Sequence, residues 1–303
     1  MKISYCKGYV APLPEGHIFP MKKFSGLYDH LTQNEGFKPS QFIEPCMADM
    51  AALCTVHSPE YSNKVWNGTL NRKEERRMGL PWSKKLAVRS RLAVQGTVNA
   101  ALMALQDGAA GNLAGGTHHA MPGHGEGFCV FNDVAIAIRV LRQSKWVRRV
   151  LVIDCDVHQG NGTAEIFREE ADVFTFSIHG EKNYPFVKPP STLDVALPDK
   201  TGDKAYIRHL GDSLDQIFNS FKPDLVFYLG GIDPLETDHF GRLSLSLKGL
   251  EERERLVIET VVQKDIPVVL LLSGGYAPTL RKTVEAHSIM YRVARDITAP
   301  YFS

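Results

Sequence analysis

Asp154, Asp156 and His158 stand at i, i+2 and i+4 in the run Asp154-Cys-Asp-Val-His158. In extended backbone that spacing turns all three side chains to one side, whereas on a helix they do not line up. A carboxylate and an imidazole two residues apart can hold one cation. A third donor from another segment, Asp233 in Gly230-Gly-Ile-Asp233, completes a three-donor set with an open position, as a catalytic zinc needs. Each aspartate taken alone could equally cap the helix that follows it. Three ionisable groups coming straight off an apolar stretch, Val150 to Ile153, are too costly to desolvate without a metal or charged partners, which favours the metal.

Two more segments carry groups suited to acid and base chemistry. His118 and His119 are adjacent in Gly115-Gly-Thr-His-His-Ala120, and both reach one site only where the backbone turns, because neighbours in extended chain diverge. Tyr276 follows Ser273-Gly-Gly; by residue type alone it is as well suited to packing as to chemistry. His17, His30, His57, His124, His209, His239 and His287 read as structural or surface residues.

These segments must be delivered by a scaffold, and the chain has the rhythm of one. From about residue 83, helical patterns alternate with short β-branched runs, which predicts βα units on a mostly parallel sheet with helices on both faces. Strands are expected at Ile3 to Tyr5, Asn112 to Ala114, Val150 to Ile153, Val173 to Ser177, Leu225 to Leu229 and Val268 to Leu272. Helices are expected at Ser25 to Asn34, Met47 to Val56, Ser83 to Asp107, Asn132 to Gln143, Thr163 to Glu169, Asp203 to Phe221, Ser246 to Gln263 and Pro278 to Ile297. The Ser246 helix is amphipathic, its apolar stripe interrupted by Glu251, Glu252, Arg253 and Glu254. Arg72 to Arg77 mixes both signs and reads as a solvated surface segment. In open parallel sheets, function gathers after the carboxyl ends of strands, where all the chemical segments fall. No linker or repeat divides the chain, so a single domain over residues 1–303 is expected.

Composition narrows the function classes. With 44% hydrophobic and 23% charged residues, the sequence is neither disordered nor fibrous. Its 35 Lys+Arg against 34 Asp+Glu argue against a broad nucleic-acid surface. Cys6, Cys46, Cys54, Cys129 and Cys155 form no CxxC pair and read as reduced thiols, which predicts a cytoplasmic protein. The longest apolar stretches are far short of a membrane span. Nothing in the pattern sets an oligomeric state.

Taken together, Gly115-Gly-Thr-His-His-Ala120, Gly125-Glu-Gly-Phe-Cys-Val-Phe-Asn-Asp133, Asp154-Cys-Asp-Val-His-Gln-Gly-Asn-Gly162, Gly231-Ile-Asp-Pro-Leu-Glu-Thr-Asp238 and Ser273-Gly-Gly-Tyr276 resemble the zinc-dependent histone deacetylase family of the arginase/deacetylase superfamily. The forms His158-Gln-Gly-Asn-Gly162 and Ser273-Gly-Gly-Tyr276 are most similar to the class IV deacetylases and their bacterial relatives. Weaker similarity, including His17-Ile-Phe-Pro-Met21 and His57-Ser-Pro-Glu-Tyr61, extends over nearly the whole chain. The resemblance implies the arginase/deacetylase fold and hydrolysis of an acyl-lysine side-chain amide, acetyl or longer fatty acyl, in a protein or peptide. It implies Zn2+, or Fe2+ in its place, on Asp156, His158 and Asp233. It also implies a structural K+ held by Asp154 and mainly by the backbone carbonyls of Asp156, His158, Ser177 and Ile178. His119 would be the general base, His118 its electrostatic support bonded to Asp154, and Tyr276 the donor to the developing oxyanion. Phe128 and Tyr184 would wall the lysine tunnel, with the Gly127 carbonyl accepting the amide N–H.

One position departs from the commonest family pattern. Asn161 stands where many members pair the second histidine with an aspartate, so the His119 imidazolium should be less favoured and the acidic limb of activity should lie at lower pH than in an Asn161→Asp variant. A dinuclear ureohydrolase on the same fold needs further carboxylates where the chain has Gly160 and Leu235, which excludes it. An acetylpolyamine amidohydrolase is disfavoured by the short stretch Tyr61 to Trp82, and a non-catalytic acyl-lysine binding protein by the presence of every residue the mechanism needs.

Overall fold

A computed structural model describes residues 1–299. Its strands are β1 (Lys2–Ser4), β2 (Phe42–Ile43), β3 (Ala109–Asn112), β4 (Val150–Asp154), β5 (Val173–Gly180), β6 (Leu193–Leu197), β7 (Leu225–Leu229) and β8 (Val268–Leu271). Its helices are α1 (Lys23–Gln33), α2 (Met50–Leu53), α3 (Pro59–Asn67), α4 (Arg72–Met78), α5 (Lys84–Asp107), α6 (Asp133–Gln143), α7 (Asn161–Phe167), α8 (Asp203–Ser220), α9 (Leu247–Val262) and α10 (Leu280–Thr298). The strands form one sheet in the order β2-β1-β3-β8-β7-β4-β5-β6, and every pairing is parallel.

β4, β7 and β8 are buried at every residue because helices cover both faces. Side chains divide by parity along these strands. Leu151, Ile153, Val226, Tyr228, Val268 and Leu270 pack with Leu214 of α8, Val257 of α9 and Met290 of α10. Val152, Phe227, Leu229, Val269 and Leu271 pack on the other face with Val98 of α5 and Ile138 of α6. Register then fixes where the chemistry emerges. Asn112 pairs with Leu271, Leu271 with Leu229, and Leu229 with Asp154, so four neighbouring strands end level and their following segments leave from one edge.

The differences from the sequence expectations have local causes. β3 lies three residues earlier than expected because Ala109-Ala-Gly111 carries little strand signal. Gly111 is needed there: a Cβ would stand 2.5 Å from the ring of Tyr291. The Asn112 side chain ends the strand by donating to Ala93 O and accepting from Ala114 N. The expected Met47 helix is a single turn, α2, and β5 runs on to Gly180. The mixed-charge run is helix α4, started by a capping box between Asn71 and Glu74, and most of it is exposed. β2, β6 and α3 had no counterpart in the sequence reading; β2 is two residues long and β6 alternates half-buried and exposed residues at the sheet edge before ending on buried Leu197.

α9 differs more consequentially. Arg253 and Glu254, expected on its polar side, are 0% and 1% exposed. Arg253 Nη1 donates to Gly231 O at 2.7 Å and to Cys155 O at 3.2 Å, and its other arm pairs with Glu254. Tyr228 donates to Glu254 at 2.5 Å. One guanidinium therefore ties the loop after β4, which carries Asp156, to the loop after β7, which carries Asp233. Arg253→Met leaves Glu254 as a buried uncompensated charge and is expected to cost about 3–5 kcal/mol in denaturant unfolding. Arg253→Met/Glu254→Leu should recover part of it. A single-variant loss under ~1 kcal/mol contradicts the clamp.

Candidate functional site

Past β4 the chain does not continue extended, which corrects the expectation of three side chains on one side. Asp154 Oδ1 accepts from Asp156 N at 3.1 Å, and Asp156 Oδ1 from His158 N at 3.0 Å, so the run curls. Asp154 turns away to His118. Asp156, His158 and Asp233 come together instead, with one donor atom from each within 4.8 Å of the others. His158 Nδ1 lies 3.1 Å from Asp156 Oδ1 and 3.3 Å from Asp233 Oδ2. Asp233 Oδ2 is buried with no aligned hydrogen-bond donor. A Cβ at Gly274 would stand 2.1 Å from that oxygen, so glycine keeps the space beside it clear. Burial and the neighbouring Asp156 push the Asp233 carboxyl up to about 7. Two buried carboxylates, one imidazole and an unsatisfied oxygen fit a divalent metal such as Zn2+ or Fe2+.

His118 and His119 occupy the turn after β3, where His118 N donates to Gly116 O, and their rings stand 4.1 Å apart. His118 Nδ1 is 2.6 Å from Asp154 Oδ2, and His119 Nδ1 is 2.6 Å from Asn161 Oδ1. Burial alone would lower both. Asp154 and Asp156 overcome it at His118 and raise it to about 9. His119 faces a neutral amide, and burial with the neighbouring His118 and His158 holds it well below the ordinary histidine value. At neutral pH the pair is therefore one imidazolium and one imidazole, split by environment. The amide acceptor assigns the His119 proton to Nδ1 and leaves Nε2 free to accept one.

The amide is itself oriented. Asn161 Nδ2 donates to Glu126 Oε1 at 2.7 Å, which also accepts from the Tyr184 hydroxyl at 2.6 Å, while His124 Nε2 lies 3.2 Å from Glu126 Oε2. Burial raises the Glu126 carboxyl, but the donors from Tyr184, Asn161 and His124 hold it below its usual value. His124 thus belongs to the site's surroundings. Gly127, next in sequence, has φ +58, and a Cβ there would stand 2.5 Å from His119. Phe128 follows at φ +64, its N–H bonded to Met78 O.

Two cavities meet at this group. The outer one, about 300 Å3, has walls of Phe128, Tyr184, Phe240 and Tyr276, with Arg76 and Arg77 of α4 at its mouth. The inner one, about 50 Å3, shares His119, Gly127, Phe128, His158 and Tyr276 with it and reaches Lys23 and Arg89. Tyr276 N and Phe240 N both donate to Asp238, which joins these two walls. Ser177 and Ile178 are buried on β5, where Ser177 pairs with Asp154 of β4. No backbone N–H among the described residues bonds the carbonyl of Asp156 or His158.

Sequence reasoning did not single out Glu126, Asp238, Phe240, Lys23, Arg89 or Arg253. Glu126 and Asp238 lie inside quoted motifs, so their positions were visible. Phe240 lies alone in a loop, and Lys23, Arg89 and Arg253 signal nothing by type, since a lysine or arginine on a helix is ordinarily solvated.

The histone deacetylase domain model matches residues 17–290. An uncharacterized protein of Picosynechococcus sp. is 44% identical, covering 97% of this chain and 98% of its own. The acetoin utilization protein AcuC of Bacillus subtilis is 30% identical over 79% of this chain and 67% of its own, and histone deacetylase 2 of Arabidopsis thaliana 28% over 88% and 72%. The crystal structure of an HDAC homolog complexed with SAHA has a TM-score of 0.81 at 25% identity, covering 98% of this chain and 88% of that one. No described helix is long and apolar enough to cross a membrane.

The neutral partner of His119 can be tested without turnover. In Asn161→Asp, the His119 imidazole should titrate about one unit or more higher by NMR, because a carboxylate stabilises imidazolium. An unchanged midpoint contradicts the assigned role of the amide.

Proposed function

Because the chain belongs to the histone deacetylase family, we propose that this deacetylase-type hydrolase uses a divalent metal to cleave the side-chain amide of an acyl-lysine in a protein or peptide. The observation that carries this reading is a neutral His119 beside the Asp156–His158–Asp233 group, at the junction of an aromatic-walled tunnel and a small inner cavity. Zn2+, or Fe2+, on those three residues supplies Lewis acidity toward the amide carbonyl and water.

The remaining work falls to the chain's own residues. Phe128 and Tyr184 hold the methylene stem of the lysine, and the Gly127 carbonyl takes the amide N–H. His119 Nε2 takes the proton of the attacking water. His118, charged through Asp154, supplies a positive field and a proton for the departing amine. Tyr276, whose hydroxyl has no partner among the described residues, donates to the developing oxyanion, an interaction worth about 3–4 kcal/mol in comparable sites. Asn161, fixed by Glu126, sets the His119 tautomer. A structural K+ belongs with Asp154 and the carbonyls of Asp156, His158, Ser177 and Ile178, two of which have no backbone donor.

Arg76 and Arg77, which make no ion pair with any described residue, ring the mouth and repel a polycation, so an acetylpolyamine suits the site poorly. An inner cavity of about 50 Å3 holds roughly three to five water-sized groups and favours short acyl chains over a myristoyl chain. Five unbridged cysteines suit a reducing compartment such as the cytoplasm.

A panel of lysine peptides bearing acetyl to myristoyl groups, assayed with zinc and with a chelator, tests the reading. Short acyl groups should be hydrolysed, chelation should abolish turnover, and Tyr276→Phe should lower kcat about 10²–10³-fold with little change in KM. Absence of turnover on every peptide, with peptide still bound, supports the non-catalytic binder instead.

A further inference from the structure

Lys23 at the start of α1 and Arg89 in α5 are 2% and 3% exposed, and both line the inner cavity. Neither has a carboxylate within ion-pair distance among the described residues. Lys23 Nζ donates to Ser273 O at 2.9 Å and lies 3.5 Å from His287 Nε2, which leaves a third N–H unused. Arg89 uses only Nε, toward Tyr9 O at 3.2 Å, so its four Nη hydrogens have no protein acceptor. Both cations stand near one ring: Lys23 Nζ is 5.7 Å and Arg89 Cζ 4.7 Å from the centroid of Phe24. Asp233 and Asp156 act on Lys23, and Asp133 on Arg89, only from beyond ion-pair distance, so both buried cations keep hydrogen-bonding capacity that an anion in the inner cavity would use.

The location gives the anion a role. Ser273 accepts from Lys23 through its carbonyl, while its hydroxyl donates to Asp156 Oδ2 at 2.8 Å, so a single residue separates the ammonium from the metal-binding group. The lysine side of the site is already accounted for by the outer cavity and its arginine-lined mouth. What projects past the reacting amide into the inner cavity is the acyl end. The far carboxylate carbon lies about 2.5 Å from the amide carbonyl carbon in a malonyl group and about 4 Å in an extended succinyl group, given bonds of about 1.5 Å.

We propose that the inner cavity is an acyl-end pocket for short acyl groups terminating in a carboxylate, of the malonyl and succinyl class, anchored by Lys23 and Arg89. The proposal rests on the acyl-lysine hydrolase reading above and specifies its substrate. Water adds its oxygen to the amide carbon, the C–N bond breaks, the lysine nitrogen takes a proton, and the products are the lysine amine and a free dicarboxylate. Burial lowers the Lys23 ammonium to about 8, with Asp233 and Asp156 opposing the fall.

The test compares one peptide carrying acetyl, butyryl, malonyl, succinyl or glutaryl lysine on the zinc-loaded protein. The malonyl or succinyl peptide is expected to exceed the butyryl peptide at least about tenfold in kcat/KM. Lys23→Met and Arg89→Met should each lower that ratio about ten- to hundredfold, and Lys23→Arg should retain it. A ratio below one in the parent protein, or variants that depress all acyl groups alike, overturns the proposal. A second arm needs no turnover: free succinate should raise the melting temperature of the parent protein and not of Lys23→Met. Acetate acting as strongly as succinate marks a site for any small carboxylate and also overturns it. If no acyl peptide is hydrolysed, the hydrolase reading fails while the succinate arm still reports on the pocket.

Discussion

Asp156 and Asp233 are fully buried, both against His158 Nδ1, at the level edge where four parallel strands end. Two carboxylates in such a place repel one another and have lost most of their hydration, so the fold around them must hold them together and present a cation. Much of the surrounding architecture reads as a response. Arg253 grips the backbones of both acid-bearing loops from beneath. Gly274 leaves the space next to the carboxylate oxygens open, and Ser273 with the Gly274 N–H hydrogen-bonds Asp156 Oδ2. The metal centre proposed here gives the chain a reason to bury so many ionisable residues at one point.

The same constraint separates the two histidines. Asp154 lies next to the group but turns its carboxylate to His118, which becomes charged, and that charge in turn disfavours a proton on His119. Asn161 completes the separation by giving His119 an acceptor without a charge. The negative charge is not absent; it has moved one residue outward to Glu126, where it orients the amide and ties Tyr184 into the same network. One imidazole that stays neutral and a neighbour that stays protonated follow from where the carboxylates are placed.

What could be read from the sequence divides along physical lines. The central strands were legible because residues buried on both faces form uninterrupted apolar runs, and the segments after them were legible because Asp, His and Gly cluster there. β3 was misplaced since its small residues answer to the packing of Tyr291, a partner 180 positions later, and not to strand propensity. That Asp156, His158 and Asp233 come together was legible, but not their geometry: the expected extended run curls, and Asp154 leaves it. Arg253, Lys23 and Arg89 were invisible because a charged residue in a helix reads as solvent-facing, and only tertiary packing shows that these three are buried.

The central claim is that Asp156, His158 and Asp233 form one metal centre that the fold is built to hold. Calorimetric titration of zinc into metal-depleted protein, alongside Asp233→Asn checked for folding by circular dichroism, tests it most directly. The account predicts a single tight zinc site per chain in the parent protein and a loss of affinity of at least about a hundredfold in the variant. Equal zinc affinity in the two folded proteins, or no tight site in the parent, contradicts it.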